Sequence, residues 1–498
     1  MIPAGRSHVL ARLNVTGTGT LASFSRIMDE TRIAAGGLKD FATGLVDPTF
    51  RLGVTGLSRA GKTIFITALI NALTKGARLP LFEAYAQGRI THAILEPQPD
   101  DDIPRFAFET HLDQLTATDR RWPESTRRVS QLRLTMDYEP VGYMARTFGS
   151  GRVNIDIMDY PGEWLLDLPL MARTYEEWSH ATVAAARLAP RAALAADWLS
   201  HLASLDAQAA ADELQAVKAA ELFTHYLARC RADGVSLSTL PPGRFLLPGD
   251  LAGSPLLTFA PLDVTPDTLA EAGSLHALMK RRYDSYVARV VKPFFFGHFA
   301  RLDRQIVLVD VLTALNAGAA AVNDLKTALT QVMASFRQGE NTMVSGLFGR
   351  RIDRVLFAAT KADLLHHHSH DQLEAILKLL IEDAAARAEF HGAKWDVTAL
   401  SAIRATREAM VRQGSEQLPC IVGTPEAGEV IGGTSFDGTR EAAVFPGDLP
   451  ADPRAALDGS LEGQIKFVRF RPPLIDGATF PHIRLDRTLE YLFGDRFP

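Results

Sequence analysis

The stretch GLSRAGKT, from Gly56 to Thr63, matches the phosphate-loop pattern G-x-x-x-x-G-K-[ST]. The apolar run RLGVTG that leads into it predicts a buried strand, and TIFITALINALTK predicts a helix that begins at Thr63. A strand, a glycine-rich loop and a helix in this order direct backbone N–H groups at phosphate oxygens. The sequence therefore predicts a phosphate-binding α/β fold.

Within this loop, Lys62 is expected to neutralise the outer phosphates of a nucleotide and Thr63 to hold Mg²⁺. Arg59 is a candidate catalytic residue that would act as an arginine finger within the chain. The alternative is an Arg59 side chain that points outward and pairs with an acid elsewhere. The residues expected against the nucleotide here are Gly56, Ser58, Arg59, Ala60, Gly61, Lys62, Thr63 and Ile64.

A second element, GRVNIDIMDYPGEW, ends an alternating apolar strand in Asp159-Tyr160-Pro161-Gly162 and resembles the D-x-x-G element of GTPases. Asp159 is predicted to hold Mg²⁺ through water, and the Gly162 N–H to bond the γ-phosphate. Glu163 follows at the place where small GTPases often carry a water-orienting glutamine, so it is a candidate catalytic residue.

The first switch should lie before the predicted strand VSQLRLTMDY. Thr126, in RWPESTRRV, is the favoured magnesium-binding threonine, and Thr118, Ser125 and a purely structural N-cap stay open as alternatives.

A third element, RVLFAATKADLL, resembles the [NT]-K-x-D guanine-recognition element, with Thr360 in place of the commoner asparagine. Asp363 can accept hydrogen bonds from the N1–H and N2 amine of guanine, and Lys361 can cover the base. A fourth element follows the strand WDVTAL and consists of Ser401, Ala402 and Ile403, whose backbone N–H groups are expected near guanine O6.

The order of these elements predicts a G domain of the P-loop NTPase class, a doubly wound and mostly parallel sheet. Asp159 and Lys361 are 202 positions apart, so a large, mainly helical insertion is expected between them. The predicted division is an arm and helix over 1–48, the G domain over 49–163 and 303–414, the helical insertion over 164–302, and a small β-rich C-terminal region over 415–498 that docks on the G domain.

Three functions are consistent with these motifs. The first is a Mg²⁺-dependent GTPase that acts as a switch for a protein partner. The second is an ATPase in which Asp310, after the strand QIVLV, holds magnesium; Val311 after it and Asp363 argue against this. The third is a nucleotide-stabilised scaffold with little turnover, which Glu163 in place of glutamine favours.

The composition argues against a membrane-spanning protein and against a nucleic-acid-binding protein. The chain has 498 residues, 47% of them hydrophobic and 22% charged, and no run approaches the roughly 18 apolar residues of a membrane helix. A net charge of -5 predicts no nucleic-acid partner, and Cys230 and Cys420 form no metal-type pair. A cytoplasmic location is expected.

The run HHHSH, from His366 to His370, invites a metal interpretation. Adjacent histidines rarely point at one centre, however, and Ser369 is a candidate cap for the following helix. The sequence therefore does not predict a metal site here.

The blocks TFRLGVTGLSRAGKT, DYPGEWLLDLPL, TKADLLHHH, VFPGDLPADP and FPHIRLDRTLEYLFGD resemble those of the YcjX-like family of bacterial P-loop proteins, from about residue 45 to the C-terminus. That resemblance implies a G-domain fold with a helical insertion and Mg²⁺-dependent nucleotide binding. Members are regarded as ATPases or GTPases linked to stress responses. Because they are often encoded beside an inner-membrane protein, it also implies such a protein as a candidate partner and a peripheral inner-membrane location as an alternative. The oligomeric state stays open.

Overall fold

The computed structural model of the chain describes residues 48–56, 60–124, 128–141, 151–233, 241–337, 352–387, 393–475 and 477–497. Nearly all of the predicted N-terminal arm and helix therefore lies outside the described residues. No helix in these ranges is long and apolar enough to cross a membrane.

The centre of the structure is a seven-stranded sheet with the order β2-β3-β4-β1-β5-β6-β7. Its strands are β1 Thr49–Gly56, β2 Ile90–Glu96, β3 Ser130–Tyr138, β4 Arg152–Asp159, β5 Arg304–Val309, β6 Arg354–Ala359 and β7 Lys394–Ala399. The five strands from β4 to β7 in that order are parallel, and β3 is antiparallel to both of its neighbours. The prediction of a mostly parallel α/β sheet is confirmed.

The edge strand β2 was not among the sequence predictions. Its residues are mostly exposed or half-buried, so the sequence lacks the continuous apolar run that marks the central strands.

Helices cover both faces of the sheet. In chain order they are α1 Lys62–Lys75, α2 Glu83–Ala86, α3 Phe108–Thr116, α4 Tyr175–Ala186, α5 Arg191–Leu194, α6 Ala196–Ala203, α7 Glu213–Asp233, α8 Gly243–Leu246, α9 Leu275–Tyr286, α10 Lys292–Gly297, α11 Val311–Asn316, α12 Ala319–Arg337, α13 His370–Arg387 and α14 Leu485–Phe493. A 3-10 segment, Gly162–Ala172, follows β4, and a π-helical turn, Val287–Val291, joins α9 to α10.

The helices form two layers, one on each face of the sheet, and each layer packs on the side chains that the strands direct toward that face. Ile306 and Leu308 of β5 pack in the same core as α1 and α14. Val307 and Val309 face the opposite core, which contains α12, α13 and the helices α4 to α10. Since side chains of a strand alternate between the two faces, one buried strand supports both layers.

The described residues between β4 and β5 form helices and irregular segments with an aromatic core. Trp178 stacks on Tyr283 with ring centroids 5.2 Å apart, and Trp198 lies 4.9 Å from Phe223. All four rings are buried. Rings at these separations contribute to stability beyond their buried area. They belong to the same apolar core as Val307 and Val309 of β5, so the helical part packs directly on this face of the sheet.

A second, three-stranded sheet has the order β12-β9-β8. The strands of the C-terminal part are β8 Arg407–Gln413, β9 Glu416–Gly423, β10 Val430–Ile431, β11 Thr434–Ser435 and β12 Ala442–Val444. The first of them begins before the boundary that the sequence placed at residue 415.

The end of the chain returns to the main sheet through α14. Phe493 packs on Phe50 of β1, with ring centroids 5.4 Å apart. Arg304 of β5, which is fully buried, pairs with Asp495 at 2.7 Å and with Asp353 at 3.0 Å. Because a buried guanidinium needs anionic partners, these contacts fix the C-terminus to the sheet.

Candidate functional site

The phosphate-loop motif lies between β1 and α1, as predicted. Its residues Leu57, Ser58 and Arg59 are outside the described residues, so the position of the Arg59 guanidinium stays a prediction. Gly61 has φ +88°, a left-handed conformation that favours glycine. A side chain at Gly56 would lie 2.8 Å from the Leu308 carbonyl oxygen. Both glycines are therefore required by the backbone itself.

The first turn of α1 begins directly after this loop. The Phe65 N–H donates to the Gly61 carbonyl at 2.9 Å. The Lys62 ammonium donates to the Gly56 carbonyl at 3.1 Å, across the loop, and Lys62 and Thr63 are both buried. A loop that carries a lysine at the positive end of a 14-residue helix fits the phosphates of a nucleotide.

Asp159 ends β4, the strand that pairs with β1 in parallel, and its register partner is Val54. The two predicted magnesium residues that can be placed, Thr63 and Asp159, thus follow adjacent strands at the same edge of the sheet, and both are buried. Hydroxyl and carboxylate oxygens are ligands that suit Mg²⁺. The third, Thr126, lies outside the described residues.

Gly162 and Glu163 begin the 3-10 segment that follows Asp159. The Glu163 carboxylate accepts a hydrogen bond from the Arg231 guanidinium at 2.7 Å, and Arg231 belongs to the last turn of α7. The candidate catalytic acid is therefore bound to a residue of the helical part. Sequence reasoning missed Arg231 because nothing in the chain marks a partner 68 positions away.

Four more contacts join this 3-10 segment to the helical part. A Cβ at Gly243 would come within 1.9 Å of the Glu163 carbonyl oxygen, so only glycine fits there. The Asp167 carboxylate accepts from the Gly243 N–H at 2.7 Å and from the Tyr286 hydroxyl at 2.6 Å. Burial raises the pKa of Asp167 to about 6, although both donors favour the charged form. The Arg244 guanidinium lies over the Trp164 ring, 3.1 Å from its centroid.

The predicted guanine element follows β6. Lys361 has φ +63°, an uncommon conformation for a residue with a side chain, and its ammonium pairs with Asp310 at the end of β5. The Thr360 N–H donates to the Val309 carbonyl at 2.9 Å. The same Asp310 carboxylate accepts from the N–H and hydroxyl of Thr313, at 3.1 and 2.8 Å, and caps α11. The Asp310 carboxylate therefore already has partners within the protein, Lys361 and Thr313.

Asp363 is buried and lies beside the fourth element. Its carboxylate accepts from the Ser401 hydroxyl at 2.8 Å and from the Ala405 N–H at 2.9 Å. Burial raises the pKa of this carboxyl above its ordinary value. A carboxylate offers about four acceptor positions, so these two bonds leave room for two more donors. The structure therefore brings Asp363 and Ser401 together, as the motif order predicts.

Ala402 and Ile403 complete the fourth element after β7. Ile403 packs in a small apolar cluster with Ala68 of α1, Leu115 of α3 and Phe480. The Ser401 backbone exchanges two hydrogen bonds with Ile483, at 3.1 and 2.8 Å. The C-terminal segment around Phe480 thus contacts the loop after β7.

Comparison with known proteins identifies the family of the chain. The family model described as "YcjX-like family, DUF463" matches residues 50–497. The chain belongs to this family. It is 39% identical over 462 residues to "Ras-like GTPase YcjX" of Escherichia coli (strain K12), with 91% of this chain and 96% of that protein covered. A protein of the same name from Shewanella oneidensis (strain ATCC 700550 / JCM 31522 / CIP 106686 / LMG 19005 / NCIMB 14063 / MR-1) is 37% identical over 479 residues, with 90% and 95% covered. The resemblance inferred from the sequence blocks is confirmed.

Proposed function

We propose that the chain binds guanine nucleotides and hydrolyses GTP with Mg²⁺, and that the segment after Asp159 responds to the bound nucleotide. One observation carries the proposal: the four predicted elements follow the parallel strands β1, β4, β6 and β7, so they lie at the same edge of one sheet. Ligands of open α/β sheets bind at the carboxyl ends of the strands. The GTPase names of the two relatives support the same nucleotide.

Within the proposed site each residue has a separate task. Lys62 would neutralise the β- and γ-phosphates, and Thr63 and Asp159 would hold the magnesium ion. Mg²⁺, when bound, would neutralise charge that develops on the phosphate oxygens. Asp363, held by Ser401 and Ala405, would accept from the guanine edge.

Direct contacts between the 3-10 segment and the helical part support a switch function. The Gly162–Ala172 segment contacts that part through Glu163, Asp167 and Trp164. A change at Gly162 on γ-phosphate loss would reach α7 and α8 through these contacts. A protein partner at the inner membrane and a cytoplasmic location stay predictions from the sequence.

The scaffold alternative is favoured by one observation, the ion pair of Glu163 with Arg231, which occupies the candidate catalytic acid. An ATPase is less favoured, because Asp310 is bound to Lys361 and Thr313.

The test titrates the purified chain with fluorescent GDP and ADP in Mg²⁺ and then measures steady-state GTP turnover. We expect GDP to bind at least about tenfold more tightly than ADP, a difference of about 1.4 kcal/mol. Equal affinities would contradict guanine recognition. Tight GDP binding with no GTP turnover above the buffer blank would support the scaffold instead.

A further inference from the structure

Three adjacent histidines form a compact cluster beside the guanine element. They lie in the turn between β6 and α13, and one ring nitrogen from each of His366, His367 and His368 lies within 4.8 Å of the others. Their ring centroids are 4.2 to 4.5 Å apart. The expectation that adjacent histidines would diverge is wrong here, because a 3-10 turn at His367–Ser369 gathers the rings.

A carboxylate from another segment lies against this cluster. Glu408, the second residue of β8, places an oxygen 2.6 Å from a nitrogen of His367 and 4.0 Å from one of His366. Its other oxygen pairs with Arg404 at 2.9 Å. A carboxylate in this position disfavours an anionic ligand and favours a cation.

His366 adds a second, independent observation. Its side chain is 6% exposed, and its Nδ1 is buried with no hydrogen-bond partner among the described residues. Buried polar atoms almost always have a partner, which an ion or a water molecule would supply here. The rings of His367 and His368 are exposed and can adjust their positions.

We propose that His366, His367, His368 and Glu408 bind one divalent transition-metal ion of the zinc class. Imidazole and carboxylate ligands suit zinc, cobalt, nickel and copper, whereas Mg²⁺ and Ca²⁺ prefer oxygen ligands alone. In a tetrahedral zinc site with bonds of about 2.0 to 2.1 Å, neighbouring ligand atoms lie about 3.4 Å apart. The nitrogens therefore need to approach one another by about 1.4 Å at most.

The bound ion would connect two parts of the chain that meet at Asp363. His366 lies three positions after Asp363, and the Thr406 hydroxyl, two residues before Glu408, donates to the Asp363 carbonyl at 2.5 Å. The metal site would tie this turn to the first strand of the three-stranded sheet. It is separate from the predicted magnesium residues and does not depend on the proposed GTPase function.

The test uses the full chain without an affinity tag, treated with a chelator and titrated with Co²⁺. We expect one Co²⁺ per chain, the visible absorption of four-coordinate cobalt, and its loss when Zn²⁺ is added. His368→Ala and Glu408→Gln, both at positions with room for the change, should each weaken binding at least about tenfold. His180→Ala, an exposed histidine of α4, is the matched control and should leave binding unchanged.

Consecutive histidines can also bind metal without a folded site, so the titration is repeated in urea. Folding-dependent binding would persist only in the native chain. Equal affinity in native and unfolded chains, no saturable binding, or full affinity in Glu408→Gln would each overturn the proposal.

Discussion

The Glu163 carboxylate lies 2.7 Å from the Arg231 guanidinium, across 68 positions of sequence. Glu163 follows the predicted γ-phosphate contact Gly162, and Arg231 lies in the last turn of α7. The Glu163 side chain is 8% exposed and that of Arg231 28% exposed. Because a buried carboxylate is costly without a partner, this pair fixes the predicted second switch to the helical part.

Replacing Arg231 by methionine should lower stability by about 2 kcal/mol, because the Glu163 carboxylate loses a charged hydrogen-bond donor. The loss of stability is measured as a shift in the midpoint of thermal unfolding, which tryptophan fluorescence follows. Arg229→Met, on the same helix, is the control. Its partner Asp197 is 3.6 Å away and both side chains are exposed, so the change should be within about 0.5 kcal/mol. If Arg231→Met unfolds at the same temperature as Arg229→Met, the Glu163–Arg231 pair does not contribute to the stability of the fold.

Replacing Glu163 by alanine should slow single-turnover GTP hydrolysis at least about tenfold if this residue orients water, with GDP affinity nearly intact. Glu163→Gln keeps a polar side chain of the same length and should retain more of the rate than alanine does. A rate unchanged in Glu163→Ala would leave Glu163 a structural partner of Arg231 only.

Lys62→Ala should weaken GTP binding at least about 100-fold, or about 2.7 kcal/mol, because the charge that faces the outer phosphates is lost. Lys75→Ala, at the exposed far end of the same helix α1, should bind normally. Isothermal titration with GTP in Mg²⁺ compares the two variants. Retained affinity in Lys62→Ala would refute the phosphate role of this lysine.

Asp363→Asn should weaken guanine nucleotides and favour xanthine nucleotides relative to them, because an amide reverses the hydrogen-bond edge that the base meets. The ratio of the dissociation constants for GDP and XDP is the measurement, since it is independent of any general loss of stability. Asp371→Asn on α13 removes an exposed carboxylate and is the control. An unchanged ratio would mean that Asp363 only anchors Ser401 and Ala405.

Asp167 predicts a pH dependence of stability. Its pKa is about 6 in the folded chain against an ordinary 3.8, because burial disfavours the charge. The folded state therefore binds this proton more tightly than the unfolded state. Lowering the pH from 7 to 5 should stabilise the wild type relative to Asp167→Asn by about 1.3 kcal/mol. Thermal unfolding of both proteins at the two pH values measures the difference, and a constant gap between them would contradict the raised pKa.

Local sequence patterns were sufficient for the central strands and for the positions of the four predicted nucleotide elements at the ends of strands. The runs RLGVTG, RQIVLV and RVLFAA are mostly apolar because these strands are buried on both faces, whereas VNIDIMD alternates apolar and polar residues; each run lies within a strand of the structure. The edge strand β2 was missed because its exposed residues carry no such run. The phosphate loop could be located because its glycines, lysine and threonine serve one local backbone conformation.

The sequence by itself determined which residues end the parallel strands, and therefore which side chains meet at one edge of the sheet. Only the tertiary structure decided that Glu163 pairs with Arg231, that Lys361 pairs with Asp310, and that Glu408 reaches the histidine turn. Periodicity specifies which face of a helix or strand is buried but not which distant segment covers it. A partner 41 to 68 positions away is fixed by the packing of whole elements, which no local pattern encodes.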